Sequence, residues 1–334
     1  MPKLHVKRLP SRRTLVIPAL ALIAFCALFA GGSQPDETPI GPRWWPSEWG
    51  ADDQRGAANR LTPAKVLEAK SLIKTGKVYQ LGQVYEYGMP LPGKRHFKLT
   101  IPGLPTYPPE GKNQGVGNDE MLSAEIGQVG TQFDGLGHVG CRVDGEDIFY
   151  NGNKLSEFGD SYGLKKLGVE HVGVFVTRGV LLDILGYLGR KSLPNGFVIT
   201  PEHIQGCLDS QGVDIRPGDV VVIRTGHSRL WMKDNETYGK GEPGIGMAAA
   251  KFLTEKKICL IGADTWAIEA VPGEDPERPF EVHQWTLPRN GIYHLENLRL
   301  EELAADKAYE FAFFFSPVPI KGATGSPGNP VAIR

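Results

Sequence analysis

Apolar positions along the chain follow two patterns. The segments HVGVFVTRGVLLDI, GDVVVIRTG and KKICLIGAD are near-continuous β-branched runs bounded by turn residues, which predicts buried strands. TPAKVLEAKSLIKTG instead spaces Val66, Leu67, Leu72 and Ile73 for one helical face, with Thr62 as cap, Pro63 at the first helical position and Gly76 as the stop. TPEHIQGCLDSQG repeats the design with Thr200, Pro201 and Gly212, and GIGMAAAKFLTEKK gives a further helix. GKVYQLGQVYEYG alternates and is rich in Val and Tyr, which predicts a strand pair. After it, Pro90 to Gly117 is a proline- and glycine-rich loop long enough to border a site. Residues 31–60 form an irregular arm with three tryptophans in seven residues, Trp44, Trp45 and Trp49 among them. Strands of mixed pattern alternate with few helices, without repeats or a dividing linker, so residues 61–334 read as a single α/β domain.

Composition adds an export segment and removes some partner classes. Lys3, Lys7, Arg8, Arg12 and Arg13 precede the apolar run TLVIPALALIAFCALFAGG, as in a signal peptide spanning residues 1–30. The pair Arg12 and Arg13 is compatible with twin-arginine export. The expected location is therefore periplasmic or secreted, with an inner-membrane anchor as the alternative if the segment is not cleaved. Losing those five basic residues leaves an acidic excess of six, which excludes nucleic acid and anionic surfaces as natural partners. Cys141, Cys207 and Cys259 remain, in neither a zinc-finger spacing nor a disulfide framework.

The candidate chemistry lies in GQVGTQFDGLGHVG. Gln128, Gln132, Asp134 and His138 are separated by even numbers of residues, so on extended backbone their side chains share one side. Such a face could hold a metal ion; a glycine-rich strand edge whose polar groups merely satisfy backbone has the same spacing. Late in the chain, EVHQWTLPRNGIYHLENL offers His283, His294 and Glu296 as further donors, although single histidines among apolar residues are commonly core residues.

Here the chain resembles the cyclase family of metal-dependent hydrolases, which includes bacterial kynurenine formamidase and isatin hydrolase and carries the signature H-x-G-T-H-x-D-x-x-x-H. QVGTQFDGLGH matches it at Gly130, Thr131, Asp134 and His138 and places Gln128 and Gln132 where the family has histidines. WGADDQRGAANRLTP, GADTWAIE, VHQWTLPRNGIYHLENL and GATGSPGNPVAI look like other family segments in the same order. The resemblance implies a swivelling β/β/α fold with a central mixed sheet or barrel-like core and few helices. It also implies Gln128, Gln132, Asp134, His283 and Glu296 as metal positions, His138 as general base, and a dimer or tetramer. His294 has no assignable counterpart, and a structural role beside the site is expected for it. The glutamine pair is similar to that of a subgroup typified by trans-dienelactone hydrolase, a zinc-dependent lactone-opening enzyme.

Neutral amide oxygens are weaker donors than imidazoles, so the exchange lowers zinc affinity, leaves a more electron-poor ion, and makes manganese a credible alternative. The resulting expectation is an exported hydrolase that opens a small lactone with metal-activated water. Glu296 would complete the metal shell or orient His138. The alternatives are a hydrolase of a cyclic amide or formamide, and a binding protein for small ring compounds that has kept the fold without turnover. Trp44, Trp45, Trp49, Tyr107 and Phe133 are candidate walls for a flat pocket, and Arg224 and Arg289 are candidate partners for a substrate carboxylate.

Overall fold

A computed structural model describes residues 37–334. The export segment, residues 1–30, lies outside the described residues. The three apolar runs form the middle of a nine-stranded mixed sheet. In chain order the strands are β1 (Val78–Gln80), β2 (Gln132–Asp134), β3 (Phe175–Asp183), β4 (Val220–Arg224), β5 (Leu260–Ala263), β6 (Tyr293–Glu296), β7 (Glu310–Phe315), β8 (Gly325–Pro327) and β9 (Val331–Ile333). Across the sheet they run β8-β2-β6-β5-β4-β3-β7-β9-β1. The block β3, β4, β5, β6 is parallel, and antiparallel pairs extend it on both sides. Val220 to Ile223 and Leu260 to Ile261 are at most 1% exposed, which is why these strands carry no polar alternation. The curled sheet and its few helices give the α/β architecture predicted from the sequence.

Helices α2 (Pro201–Gln211) and α3 (Met247–Glu255) form where their patterns predict. Thr200 caps α2 by accepting from His203 N, and Gly212 ends it at φ 67°, a left-handed conformation that costs glycine little. Helix α1 (Pro63–Ser71) starts at the Thr62 cap but stops before Gly76. Its burial also departs from the expected face: Val66 and Leu67 are exposed, while Lys65 and Ala69 turn inward. Lys65 is drawn in by the fully buried Asp219, whose carboxylate accepts from Lys65 Nζ at 2.6 Å and from Arg178 Nη2 at 2.7 Å.

The expected strand pair around residues 76–88 is a single short strand, β1; beyond Gln80 the chain is irregular, because edge pairing with β9 ends there. The loop from Pro90 to Gly117 contains structure of its own. Phe97–Thr100 pairs with Met121–Ala124, and Tyr107–Glu110 with Gly115–Gly117, as two small antiparallel ribbons. Residues 37–60 are also ordered by contacts: Asp53 accepts from Gly56 N, Asn59 Nδ2 and Tyr150 Oη. All three cysteines of the described part are buried and free.

Candidate metal centre

The register of two strands builds the site. β2 and β6 pair antiparallel with His294 opposite Asp134 and Glu296 opposite Gln132. With a side-chain period of two, these four residues share one face, and Phe133 and Leu295 point to the other. Phe133 is buried in an aromatic cluster with Phe175, Tyr293 and Phe315, which anchors the strand pair from behind. Close strand approach also explains the glycines: a Cβ on Gly127 would lie 2.7 Å from the carbonyl carbon of Gly325 on β8.

His283 arrives from a separate element, the short helix α4 (Glu281–Gln284), which passes directly into a π-helical turn, Trp285–Arg289. Its Nε2 lies 3.3 Å from Glu296 Oε1 and 3.9 Å from Asp134 Oδ2. Candidate ligand atoms of Asp134, His283, His294 and Glu296 all lie within 4.8 Å of one another, and all four residues are buried.

Hydrogen bonds set both imidazoles in the tautomer a metal needs. Glu269 Oε1 is 2.5 Å from His283 Nδ1 and accepts its proton, which leaves the Nε2 lone pair facing the cluster. The Thr286 hydroxyl donates to Val282 O at 2.7 Å, so toward His294 Nε2, at 2.6 Å, it accepts. That interaction puts the His294 proton on Nε2 and leaves Nδ1 free, 4.0 Å from Asp134 Oδ2. The amides are held as well. Gln132 Nε2 donates to Glu296 Oε2 at 2.5 Å and Gln128 Nε2 donates to Asp134 Oδ1 at 2.6 Å.

Once these bonds are made, Gln132 Oε1, Asp134 Oδ2, His294 Nδ1 and Glu296 Oε1 are buried without a hydrogen-bond partner among the described residues. Orphaned buried acceptors are costly. Three of them, on Asp134, His294 and Glu296, cluster with His283 Nε2 and combine two carboxylates with two imidazoles, and the orphaned amide oxygen of Gln132 lies on the same strand face. This set fits a divalent cation in charge and donor type, and the 3.3 Å between His283 Nε2 and Glu296 Oε1 and the 3.9 Å between His283 Nε2 and Asp134 Oδ2 are spacings that metal bonds of ~2.0–2.2 Å can span. Burial and the neighbouring Asp134 push the Glu296 carboxyl up to about 8, the signature of a site short of positive charge. Burial opposes charge on His283, but Glu269 and Glu296 outweigh it and raise its pKa well above the ordinary histidine value, so a proton on Nε2 competes with a cation for that lone pair.

The sequence-derived candidates thus fall into three positions. Gln132, Asp134, His283 and Glu296 present donor atoms to the centre, and His294, expected to be structural, joins them. Gln128 aims its nitrogen at Asp134 and its oxygen at Arg95 Nη2, 3.3 Å away, instead of at the centre. His138 stands at the rim, its Nε2 3.9 Å from Asp134 Oδ1, without a bond to Glu296. Burial lowers the pKa of His138; Asp134 works against this, and His283 and Arg95 add to the lowering.

A cavity of about 300 Å³ opens onto these residues, walled by Arg95, Trp266 and Phe280. The aromatic candidates named from the sequence do not line it. Phe133 is core, Trp44 and Trp45 pack edge to face beside Cys141 and Val143, Trp49 packs on Arg60, and Tyr107 is exposed on its ribbon. Arg224 is committed to Asp183 and Glu301, and Arg289 donates to the carbonyls of Ile40 and Pro42, so neither reaches the cavity. Trp266 follows β5 at its C-terminal end, where ligand sites of parallel sheets gather.

The Cyclase family model matches residues 79–270, more than half of the chain. A crystal structure described as a novel cyclase is similar at 35% identity over 86% of this chain and 96% of its own, with a TM-score of 0.76. Isatin hydrolase A from Ralstonia solanacearum shares the fold at 19% identity over 82% of this chain and 98% of its own, with a TM-score of 0.56. Isatin hydrolase A from Labrenzia aggregata, bound to benzyl benzoate, does so at 20% identity over 77% and 93%, with a TM-score of 0.53. No curated protein matches the sequence. The chain belongs to the cyclase family.

Proposed function

We propose that this protein is a metal-dependent hydrolase that opens a small ring at its carbonyl, with a lactone as the substrate and a cyclic amide as the second candidate. The observation that carries the proposal is the clustering of three orphaned buried acceptors and a tautomer-fixed histidine at the floor of a cavity. A bound divalent ion, zinc or manganese, supplies Lewis-acid polarisation of a carbonyl and lowers the pKa of a water.

The residues of the chain do the rest. Asp134, His283, His294 and Glu296, with Gln132 beside them, would hold the ion, and Gln128 fixes the orientation of Asp134. His138 lines the same cavity and is held neutral by burial, so it can take a proton from the attacking water. It then returns that proton to the leaving ring oxygen, or to the ring nitrogen in an amide. A passive ligand site has no use for such a base, which favours a catalyst over a binding protein.

The glutamine pair supports the lactone; the fold shared with isatin hydrolases supports the amide. The pattern of residues 1–30 supports action in the periplasm or outside the cell, and the resemblance to the family supports a homo-oligomer. Metal analysis of the purified protein, combined with hydrolysis assays on lactones, cyclic amides and N-formyl aryl amines, tests the proposal. A divalent ion near one equivalent and turnover of one class are expected. A protein that takes up no zinc or manganese and opens none of these compounds is not this enzyme.

A further inference from the structure

Arg95 lines the pocket as a cation that the site's own chemistry leaves unused. It sits at the end of the loop before the Phe97–Thr100 strand and reaches into the cavity, where, among the described residues, its only side-chain hydrogen bond goes to Gln128 Oε1, a neutral acceptor, at a long 3.3 Å. Among the described residues it forms no ion pair. Glu125, which lines the outer cavity with it, is engaged with His96: its carboxylate accepts from His96 N at 2.6 Å and faces His96 Nδ1 at 3.2 Å, which also pins the loop that carries Arg95.

Arg95 stands at a neck. A second cavity, of about 480 Å³, lies outside the first, and both are walled by Arg95, Trp266 and Phe280. Trp266 is fixed, with its backbone N–H bonded to Glu242 Oε2 at 2.6 Å and its Nε1 bonded to Tyr238 O at 3.2 Å, so it presents ring surface to the neck. Phe280 holds φ 55°, a conformation unfavourable for a bulky residue and kept where surrounding structure enforces it. Its ring meets His283 edge to face at 5.6 Å. Two aromatic walls with a guanidinium beside them make a slot for a flat ring carrying an anion.

Charge balance points the same way. A divalent ion held at the centre would be balanced by the carboxylates of Asp134 and Glu296. The guanidinium is then the uncompensated charge of the loaded pocket, in a partly desolvated setting where one charge weighs more than in water.

We propose that Arg95 is a specificity-determining residue, and that the substrate is a planar ring compound bearing a carboxylate. The ring sits between Trp266 and Phe280, the carbonyl faces the metal centre, and the carboxylate pairs with Arg95. This rests on the cavity being the substrate site of the proposed hydrolase.

The test uses two ketones that cannot be hydrolysed, 1-indanone and 3-oxoindane-1-carboxylate. Their affinities for the full metal-loaded protein are measured by calorimetry, alongside R95Q and R95K variants of verified metal content. Wild type should prefer the carboxylate by at least ~10-fold, R95Q should reduce that preference to within about twofold, and R95K should keep part of it. A wild type without preference, or an R95Q protein that retains it, overturns the proposal. Failure of the whole lactone and amide panel alongside an intact Arg95-dependent preference would remove the hydrolase and leave the anion site supported.

Discussion

His294 and Glu296 lie two residues apart on β6, as Gln132 and Asp134 do on β2, and antiparallel register turns that double alternation into one four-residue patch. Three residues of the patch, Gln132, Asp134 and Glu296, were assigned to the metal from the sequence, as was His283 outside it, because their spacing and donor types are local features. His294 was named as a possible donor but expected to be structural; what decides its role is its tautomer, set by a Thr286 hydroxyl eight residues earlier in the chain. Arg95 had no signal at all, since its value comes from an ion pair it does not make. Glu269 is a comparable positioning residue, accepting from both His283 Nδ1 and His283 N. Glu269→Gln should weaken metal affinity by about 10–100-fold while changing kcat far less at saturating metal. A competition titration against a chelator measures the first effect, and unchanged affinity would show that the carboxylate is dispensable. His138→Ala should retain the metal and lose at least ~100-fold in kcat, since a positioned acid–base group contributes that much. Steady-state kinetics on metal-replete protein decides; a loss under about tenfold removes His138 from proton transfer.

At the scale of elements, the strands β3, β4 and β5 and the helices α2 and α3 were readable because they are buried on both faces or explicitly capped, so local pattern and tertiary environment agree. Helix α1 shows where that agreement stops. Its apolar residues suggested one face, yet the inward position belongs to Lys65, because Asp219 at the start of the β4 region needs cationic partners. No single-sequence periodicity encodes a partner 154 residues away. Arg178 on β3 is fully buried and shares Asp219 with Lys65, so the helix is docked through a buried ionic network. Removing one member of such a network leaves buried charge uncompensated, which costs about 3–5 kcal/mol. Asp219→Ala should therefore lower the unfolding free energy by an amount near the low end of that range, since Glu310 and Asp214 still contact Arg178, and a fall in the urea midpoint at preserved m value reads it out. A midpoint within error of wild type would mean that the network contributes nothing net to docking α1.

For the molecule as a whole, the metal centre and the stability of the sheet are one problem. Four donors of the site come from β2 and β6, where the parallel block meets its antiparallel extension, and the fifth comes from α4 packed over them. Folding without an ion places two carboxylates in a dry site, and the push of Glu296 toward about 8 measures that conflict. An ion that binds only the folded state resolves it and stabilises by mass action, by about 4 kcal/mol at a free concentration near 1,000 times Kd. For a chain of this length each kcal/mol moves the midpoint by about 2 °C, so chelation should lower Tm by roughly 8 °C. Calorimetric scans of loaded and stripped protein measure the shift. The same treatment of Asp134→Ala should give little further change, because that variant has lost the charge the ion needs. Identical Tm values for the loaded and stripped wild type would mean that the orphaned donors hold no ion in the folded state, and the hydrolase proposal would lose its physical basis.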